Sequence, residues 1–362
     1  MKKEIESSSI PSQIEKLIEK GLRIDDKKEA STIIEVYGYY NVINSYKEPY
    51  TFINDKGVRQ FYPNISFDQI FSLFQFDHRL RNAIMVAMID LEEHLRATAA
   101  DVISTAFGTN VENYLNRRNY QNRKIKDPRF RLDRILCSMK KTAKTNNDNP
   151  ISYYRNKYGT VPPWILFKGI FFSTLVNYIR LFKNTEKDAM IYKVFGIRDE
   201  LPLPEGVKNL FTSTLFLFLD YRNLTAHGGR VYNYTPKSPI FLNPSDLVDL
   251  EKFIQNPRAV VHTPGLEQLL LSLQLYRYKS PFNTVVNTLN SELNRHCSLF
   301  PDDIDFIQKI TGITVLKDNT VWISKNSKIY HKNEHCGSSK HLHKVSLHDI
   351  TEQNYRPCKR CF

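Results

Sequence analysis

The chain has 362 residues, 41% of them hydrophobic and 12% aromatic, which is enough apolar material for a sizeable core with one or two appendages. Its formal net charge of +13 favours anionic partners, with nucleic acid ahead of an anionic membrane surface or an acidic protein. Five cysteines, of which Cys336, Cys358 and Cys361 crowd one stretch, argue against a secreted disulfide framework and for a reduced compartment with a metal site.

Met1 to Glu6 are charged and lead into no apolar run, so no signal peptide is expected. Apolar stretches around Phe171 and Phe216 break well before membrane-spanning length, and the expected location is the cytoplasm. Ser12 to Gly21 reads as a short amphipathic helix with Ile14, Leu17 and Ile18 on one face. Ala30 to Tyr40 reads as a second helix. Tyr46 to Asn64, with Pro49, Gly57 and Pro63, reads as irregular with room for a short hairpin.

From Phe67 to about Thr105, Leu80, Ile84, Ala87, Leu91 and Leu95 recur at three and four residue steps, which predicts a long helix ended by Gly108. On it, Asp77/Arg81 and Glu93/Arg96 read as surface ion pairs, with the lining of an RNA cleft as the alternative. The basic stretch from Asn116 to Arg134 carries Arg117, Arg118, Arg123 and Lys124 with Tyr120 and Phe130 between them. Charge interleaved with aromatics suits single strands, and a solvated face is the competing reading. Pro162-Pro163 opens a helix expected to run from Trp164 to Phe182. A turn near Leu201 to Glu205 precedes a helix from about Val207 to His227, stopped by Gly228-Gly229. Further helices are expected near Leu247 to Ile254, Leu266 to Tyr278 and Asn283 to Cys297. At Ile313 the texture changes: Ile313 to Leu316 and Thr320 to Ile323 read as a hairpin, placing a boundary near residue 312.

Arg222, Asn223 and His227 close an otherwise apolar helix beside two glycines. Asn223 and His227, four apart, share a face, and the long Arg222 side chain can curl back towards them. These types suit RNA cleavage without a metal. Histidine moves protons near neutral pH, arginine grips phosphate oxygens with parallel hydrogen bonds, and asparagine can hold the imidazole in one tautomer. One set per chain is thin for this chemistry, and a second chain would complete it. The plain alternative is a helix end decorated by His227 and Arg230, which the helix dipole favours.

The stretch Tyr221 to Asn233 resembles the R-N-x-x-x-H motif of HEPN ribonucleases. More narrowly, it resembles the R-N-x-x-A-H-x-x-R-x-x-N form of the AbiD/AbiF-type abortive-infection family, met at Arg222, Asn223, Ala226, His227, Arg230 and Asn233. Other blocks follow in the same order. They are the opening helix from Gln13 to Gly21, Tyr37-Gly38-Tyr39-Tyr40, Phe76-Asp77-His78-Arg79-Leu80-Arg81, Leu91-Glu92-Glu93 to Arg96, and Pro163-Trp164 with Phe172-Ser173-Thr174-Leu175. The resemblance covers roughly residues 10 to 240. It implies a mainly α, HEPN-like helical bundle, an RNA substrate, a homodimer, and a role in phage defence or as a toxin. The AbiF branch is also associated with a structured noncoding RNA. The implied catalytic residues are Arg222, Asn223 and His227, with Arg230 and Asn233 supporting the loop or contacting RNA. One departure is Gly228, where the family often carries a basic or aromatic residue.

His331, Cys336, Cys358 and Cys361 form a four-ligand set whose thiolate and imidazole donors suit structural zinc, with His335, His341 and His343 competing for the place of His331. Residues 320 to 362 also resemble a small zinc-binding β module found at the ends of nucleases and in Ada-type repair methyltransferases. Lys325, Lys328, Lys332, Lys340, Lys344, Arg356, Lys359 and Arg360 make it basic enough to hold phosphates. The expected organisation is an N-terminal helical and irregular extension over 1–65, a HEPN-like domain over 66–312 and a zinc-binding β module over 313–362. The expected activity is metal-independent endoribonuclease cleavage. The second reading is a non-catalytic RNA-binding protein that scaffolds a noncoding RNA or serves a toxin–antitoxin pair.

Overall fold

A single helix, Phe67–Phe107, organises the molecule in the computed structural model, which describes residues 8–199, 203–237, 265–314, 320–324, 327–336, 342–346, 350, 353 and 355–361. Before it come α1 (Ile10–Glu19), α2 (Lys27–Tyr37) and the antiparallel hairpin of β1 (Thr51–Ile53) and β2 (Arg59–Phe61), as the turn-rich composition suggested. Helix α2 stops at Tyr37, three residues short of the expected end. Gly38 there takes a φ of +85°, and the chain re-enters as a π-helical turn, Tyr40–Asn44.

The long helix is α3, and its 41 residues at about 1.5 Å each span about 60 Å. Ser66 caps it by accepting the Gln69 N–H at 3.1 Å. Leu80, Ile84, Ala87, Leu91 and Leu95 are all buried, as their spacing requires. After α3 follow α4 (Val111–Tyr114), α5 (Leu132–Thr145), α6 (Ile151–Tyr158), α7 (Pro163–Leu166), α8 (Phe172–Arg180), α9 (Asn184–Phe195) and α10 (Glu205–Ala226). Then come α11 (Gly265–Leu275), α12 (Ser280–Leu299) and α13 (Ile304–Thr311). Helices α12, α10 and α9 pack along α3. Residues Ile14, Leu17, Ile34, Tyr50 and Phe61 share one buried core with α3 and α12, so the N-terminal segment is packed against the helical body. The expected helix at Leu247 to Ile254 lies outside the described residues. Among the described residues, no helix is long and apolar enough to cross a membrane.

The expected continuous helix from Trp164 to Phe182 is broken. Helix α7 passes into a 3-10 turn at Phe167–Gly169, and Ile170 and Phe171 are extended before α8 begins. The reason lies on α3. The Arg96 guanidinium donates to the carbonyls of Phe167 and Ile170, replacing the helical bonds that the break gives up. Gly169 lets the broken segment pack closely on the start of α6, since a Cβ there would stand 2.4 Å from Ile151 Cδ1. Arg96 pairs with Glu92 rather than with Glu93.

Beyond Gly312 (φ +74°) lies a four-stranded sheet of order β5-β3-β4-β6, comprising β3 (Thr320–Ser324), β4 (Ile329–His331), β5 (Leu342–Ser346) and β6 (Arg356–Pro357). The expected hairpin differs in its partner. Ile313 and Thr314 are not strand and residues 315–319 lie outside the described set, while β3 pairs antiparallel with β4 and β5. Val321, Ile323, Tyr330 and Ile350 form its small core. The sheet docks on α12: the Tyr330 hydroxyl accepts from Asn290 Nδ2 at 2.8 Å and donates to Asn287 Oδ1 at 3.2 Å.

Candidate functional site

Helix α10 buries Phe211, Leu215, Phe218 and Tyr221 against the core, which turns the next residues, Arg222 and Asn223, towards its edge. The helix ends through paired bonds: Gly228 N–H donates to Thr225 O at 3.1 Å and Gly229 N–H to Leu224 O at 2.9 Å. This is the Schellman pattern, which needs a left-handed residue after the cap, and Gly228 supplies it with a φ of +71°. His227 is the capping residue and is exposed.

Two residues of α3 fasten the segment that follows. Asp77, 0% exposed, accepts the N–H groups of Val231 and Tyr232 on Oδ1 at 2.9 and 2.8 Å, and the Tyr46 hydroxyl on Oδ2 at 2.6 Å. Burial pushes its carboxyl above the usual range, and the three donors and the Arg81 charge pull against that. Arg81 donates to Gly228 O at 2.8 Å. The expected surface pair of Asp77 with Arg81 is therefore absent, because each partner is spent on the loop instead. Arg230 is used similarly: its guanidinium, half-buried, donates to Ser45 O, and Asn233 lies half-buried in the turn after Tyr232.

Arg222 stands between two clefts. The larger, about 740 Å³, runs between α3 and α7 and is lined by Glu92, Glu93, Arg96, Trp164, Lys168 and Arg222 among others. The smaller, about 290 Å³, is lined by Glu92, Arg96, Phe171, Ser173, Arg222 and Asn223 among others. The Arg222 side chain is 36% exposed, and its Nε lies 3.9 Å from Glu92 Oε2, too far for a hydrogen bond. That Nε is buried and has no hydrogen-bond partner. The buried Nε is out of reach of an anion, and the exposed part of the side chain is what can meet one. The structure brings Arg222 and Asn223 into one cleft. His227 lies outside the lining of both, and its bond to Asn223 is main-chain, from His227 N–H to Asn223 O at 3.1 Å.

Arg117, Arg118, Arg123 and Lys124 are exposed, with Arg117 paired to Asp133 at 2.8 Å and Arg123 bonded to Gln121 at 2.6 Å. Tyr120 cannot serve as a stacking platform there. It is buried, and its hydroxyl is 2.5 Å from that of Tyr178. Sequence reasoning also missed a buried network. His296 lies 2.9 Å from both Ser72 Oγ and Asp303 Oδ2, and Asp303 also accepts from Tyr50 and Gln69. Its residue types match a hydrolase triad, but His296 is wholly buried and Arg295 donates to Ser72 Oγ at 3.0 Å. The network ties α12 to α3 and out of reach of a substrate.

In the C-terminal sheet, the ligand atoms of His331, Cys336, Cys358 and Cys361 all lie within 4.8 Å of one another, so the set could hold a metal ion. Cys336 Sγ stands 3.6 Å from Cys358 Sγ, and Cys361 Sγ 3.9 Å from His331 Nδ1. A tetrahedron with metal–sulfur bonds of about 2.3 Å has edges of roughly 3.8 Å, so the donor set fits. Backbone N–H groups of Lys332 and Arg360 point at Cys361 and Cys358 sulfurs at 3.3 and 3.5 Å, as supporting groups around thiolates do. Of the competing histidines, His335 is exposed beside Glu334, His343 is exposed on β5, and His341 lies outside the described residues.

No curated protein and no solved structure matches the chain. A family model described as Abi-like protein matches residues 32–233, from α2 through the latched segment after α10. That span exceeds half of the 362 residues and contains Asp77, Arg81, Arg222, His227 and Arg230 together, and the chain belongs to the family of Abi-like proteins, which links it to abortive infection in phage defence.

Proposed function

We propose that the protein is a HEPN-type endoribonuclease of abortive infection that cuts RNA by attack of the 2′-hydroxyl on the adjacent phosphate. The observation that carries this reading is the Arg222 guanidinium, partly exposed between two clefts and held by no hydrogen bond at its Nε, only by the Glu92 charge at 3.9 Å, five residues before an exposed His227 on a fixed helix end. His227 takes the 2′-hydroxyl proton and O2′ bonds to phosphorus. Arg222 holds the non-bridging oxygens as charge builds, and the 5′-oxygen leaves with a proton from a second imidazole. The products are a 2′,3′-cyclic phosphate and a 5′-hydroxyl. Asn223, beside Arg222, orients the imidazole once RNA is seated, and Arg230 and Asn233 hold the loop at the rim.

A second chain of the same sequence supplies the second imidazole, which makes the working form a homodimer inside the cell. The cysteine and histidine set holds zinc as a structural ion, since three thiolates and an imidazole in a closed tetrahedron are the donors zinc prefers.

A second reading, RNA binding without turnover, is favoured by one observation: His227 lines neither cleft with Arg222. Purified protein incubated with structured and unstructured RNA, beside His227→Ala, separates the two. Cleavage lost in the variant supports the nuclease. Cleavage equal in both removes His227 from the chemistry, and RNA retained without cleavage supports the second reading.

A further inference from the structure

Where the metal module meets the helical body, a third cleft of about 410 Å³ opens between the α11–α12 turn and the Cys358–Cys361 knuckle. Lys279 and Asn283 from the start of α12 and Gln274 from α11 line one side; Arg356, Lys359 and Arg360 line the other. Among the described residues, no aspartate or glutamate lines it, and none is paired with these four cations. Lys279 is half-buried and spends its ammonium on the Gln274 carbonyl, a neutral acceptor.

Arg356, Lys359 and Arg360 are exposed, so solvent screens their repulsion, but four positive charges around one concavity give it a potential that draws anions. The metal centre answers only part of this. A divalent ion with three thiolates and a neutral imidazole carries one net negative charge, which leaves most of the cationic charge uncompensated. The cleft also offers amide groups on Gln274 and Asn283 and an apolar patch at Phe282 and Ile329.

We propose that this cleft is a phosphate-binding site that grips successive phosphate groups, either along an RNA strand or on a free nucleotide. His331, Cys336 and Cys358 also line the cleft, so an ion held by the four ligands would stand at its wall and fix where Lys359 and Arg360 stand. The site is separate from Arg222 and does not depend on cleavage there.

The test uses the full-length, metal-loaded protein and a fluorescent 2′-O-methyl oligoribonucleotide, which cannot be cut by 2′-hydroxyl attack. Binding is read by anisotropy from 50 to 200 mM salt for wild type, Lys279→Gln/Arg356→Gln and the charge-keeping Lys279→Arg/Arg356→Lys. If both cations touch phosphate, the double Gln variant loses roughly tenfold in affinity, and its log–log salt slope falls by about 1.4. The charge-keeping variant stays near wild type. A parallel titration with ATP, showing the same dependence on Lys279 and Arg356, would assign the site to a free nucleotide instead of a strand. Unchanged affinity and slope in the double Gln variant, for both strand and ATP, overturns the proposal. Should that variant fold poorly, amine-reactive labelling of the wild type decides. Lys279 and Lys359 protected by bound strand or ATP support the site, and equal labelling with and without either overturns it.

Discussion

Replacing Asp77 by alanine should damage both the fold and the helix end that carries His227. The carboxylate accepts two buried backbone N–H groups, from Val231 and Tyr232, and the Tyr46 hydroxyl. Each buried donor left without an acceptor costs about 1–3 kcal/mol, so three of them amount to roughly 4 kcal/mol once some relaxation is allowed. Asp77→Asn keeps an acceptor oxygen in place for the two N–H groups, and its amide can donate to the Tyr46 oxygen. Its expected cost is about 1 kcal/mol. Denaturant unfolding of wild type and both variants measures the difference, and amide exchange at Val231 and Tyr232 shows whether the loop has opened. The expected order is a large loss for alanine and a small one for asparagine, with faster exchange only in the alanine variant. Two equal losses, or an alanine variant within 1 kcal/mol of wild type, would show that the carboxylate does not fasten this loop.

Gly228→Ala forces an L side chain into a left-handed conformation with open space around it, so only the backbone is strained; the denaturant midpoint should reflect a loss of about 1 kcal/mol. Lys187, 2% exposed, has its pKa lowered to about 8, first by burial and then by the Arg123 charge. Between that value and the ordinary lysine value of about 10.4, the unfolded chain holds a proton that the folded chain has shed, so stability rises with pH across that window. Lys187→Met should therefore raise the melting temperature at pH 7, by a gain on the order of 3 kcal/mol at most, and flatten the rise measured from pH 8 to 10. Stripping metal with a chelator should unfold the C-terminal sheet while α3 stays intact. Trp322 fluorescence and metal analysis check this, and one zinc per chain is expected in the untreated protein.

Much of the helical body was legible in the sequence because α3 and α10 bury one face each and the spacing of their leucines and phenylalanines says so. Other elements depend on residues far away in the chain. The break at Phe167–Gly169 follows from Arg96, and no local pattern near Trp164 announces a guanidinium arriving from α3. Helix α9 was obscured because it buries Glu186 and Lys187, charged residues that read as surface. The same limit hid the latch: Asp77 and Arg81 sit four apart as a helix pair would, and only the return of the chain at Gly228 to Tyr232 gives them separate partners. Tyr120 lies in a basic loop, but packing against Tyr178 takes it out of reach. The metal set was legible from cysteine spacing. His331 already led that reading, and the pairing of β4 with β6, which brings it beside the knuckle, is what sets it apart from its competitors.

The most direct test of the account is the cleavage rate of one RNA strand compared with the same strand carrying a single 2′-deoxy residue at the cut position, with product ends identified by mass spectrometry. Attack by the 2′-hydroxyl predicts 2′,3′-cyclic phosphate ends, a cut that disappears at the deoxy position, and loss of both in Arg222→Ala and His227→Ala. Cleavage that continues at the deoxy residue, or that leaves a 3′-hydroxyl, would contradict it.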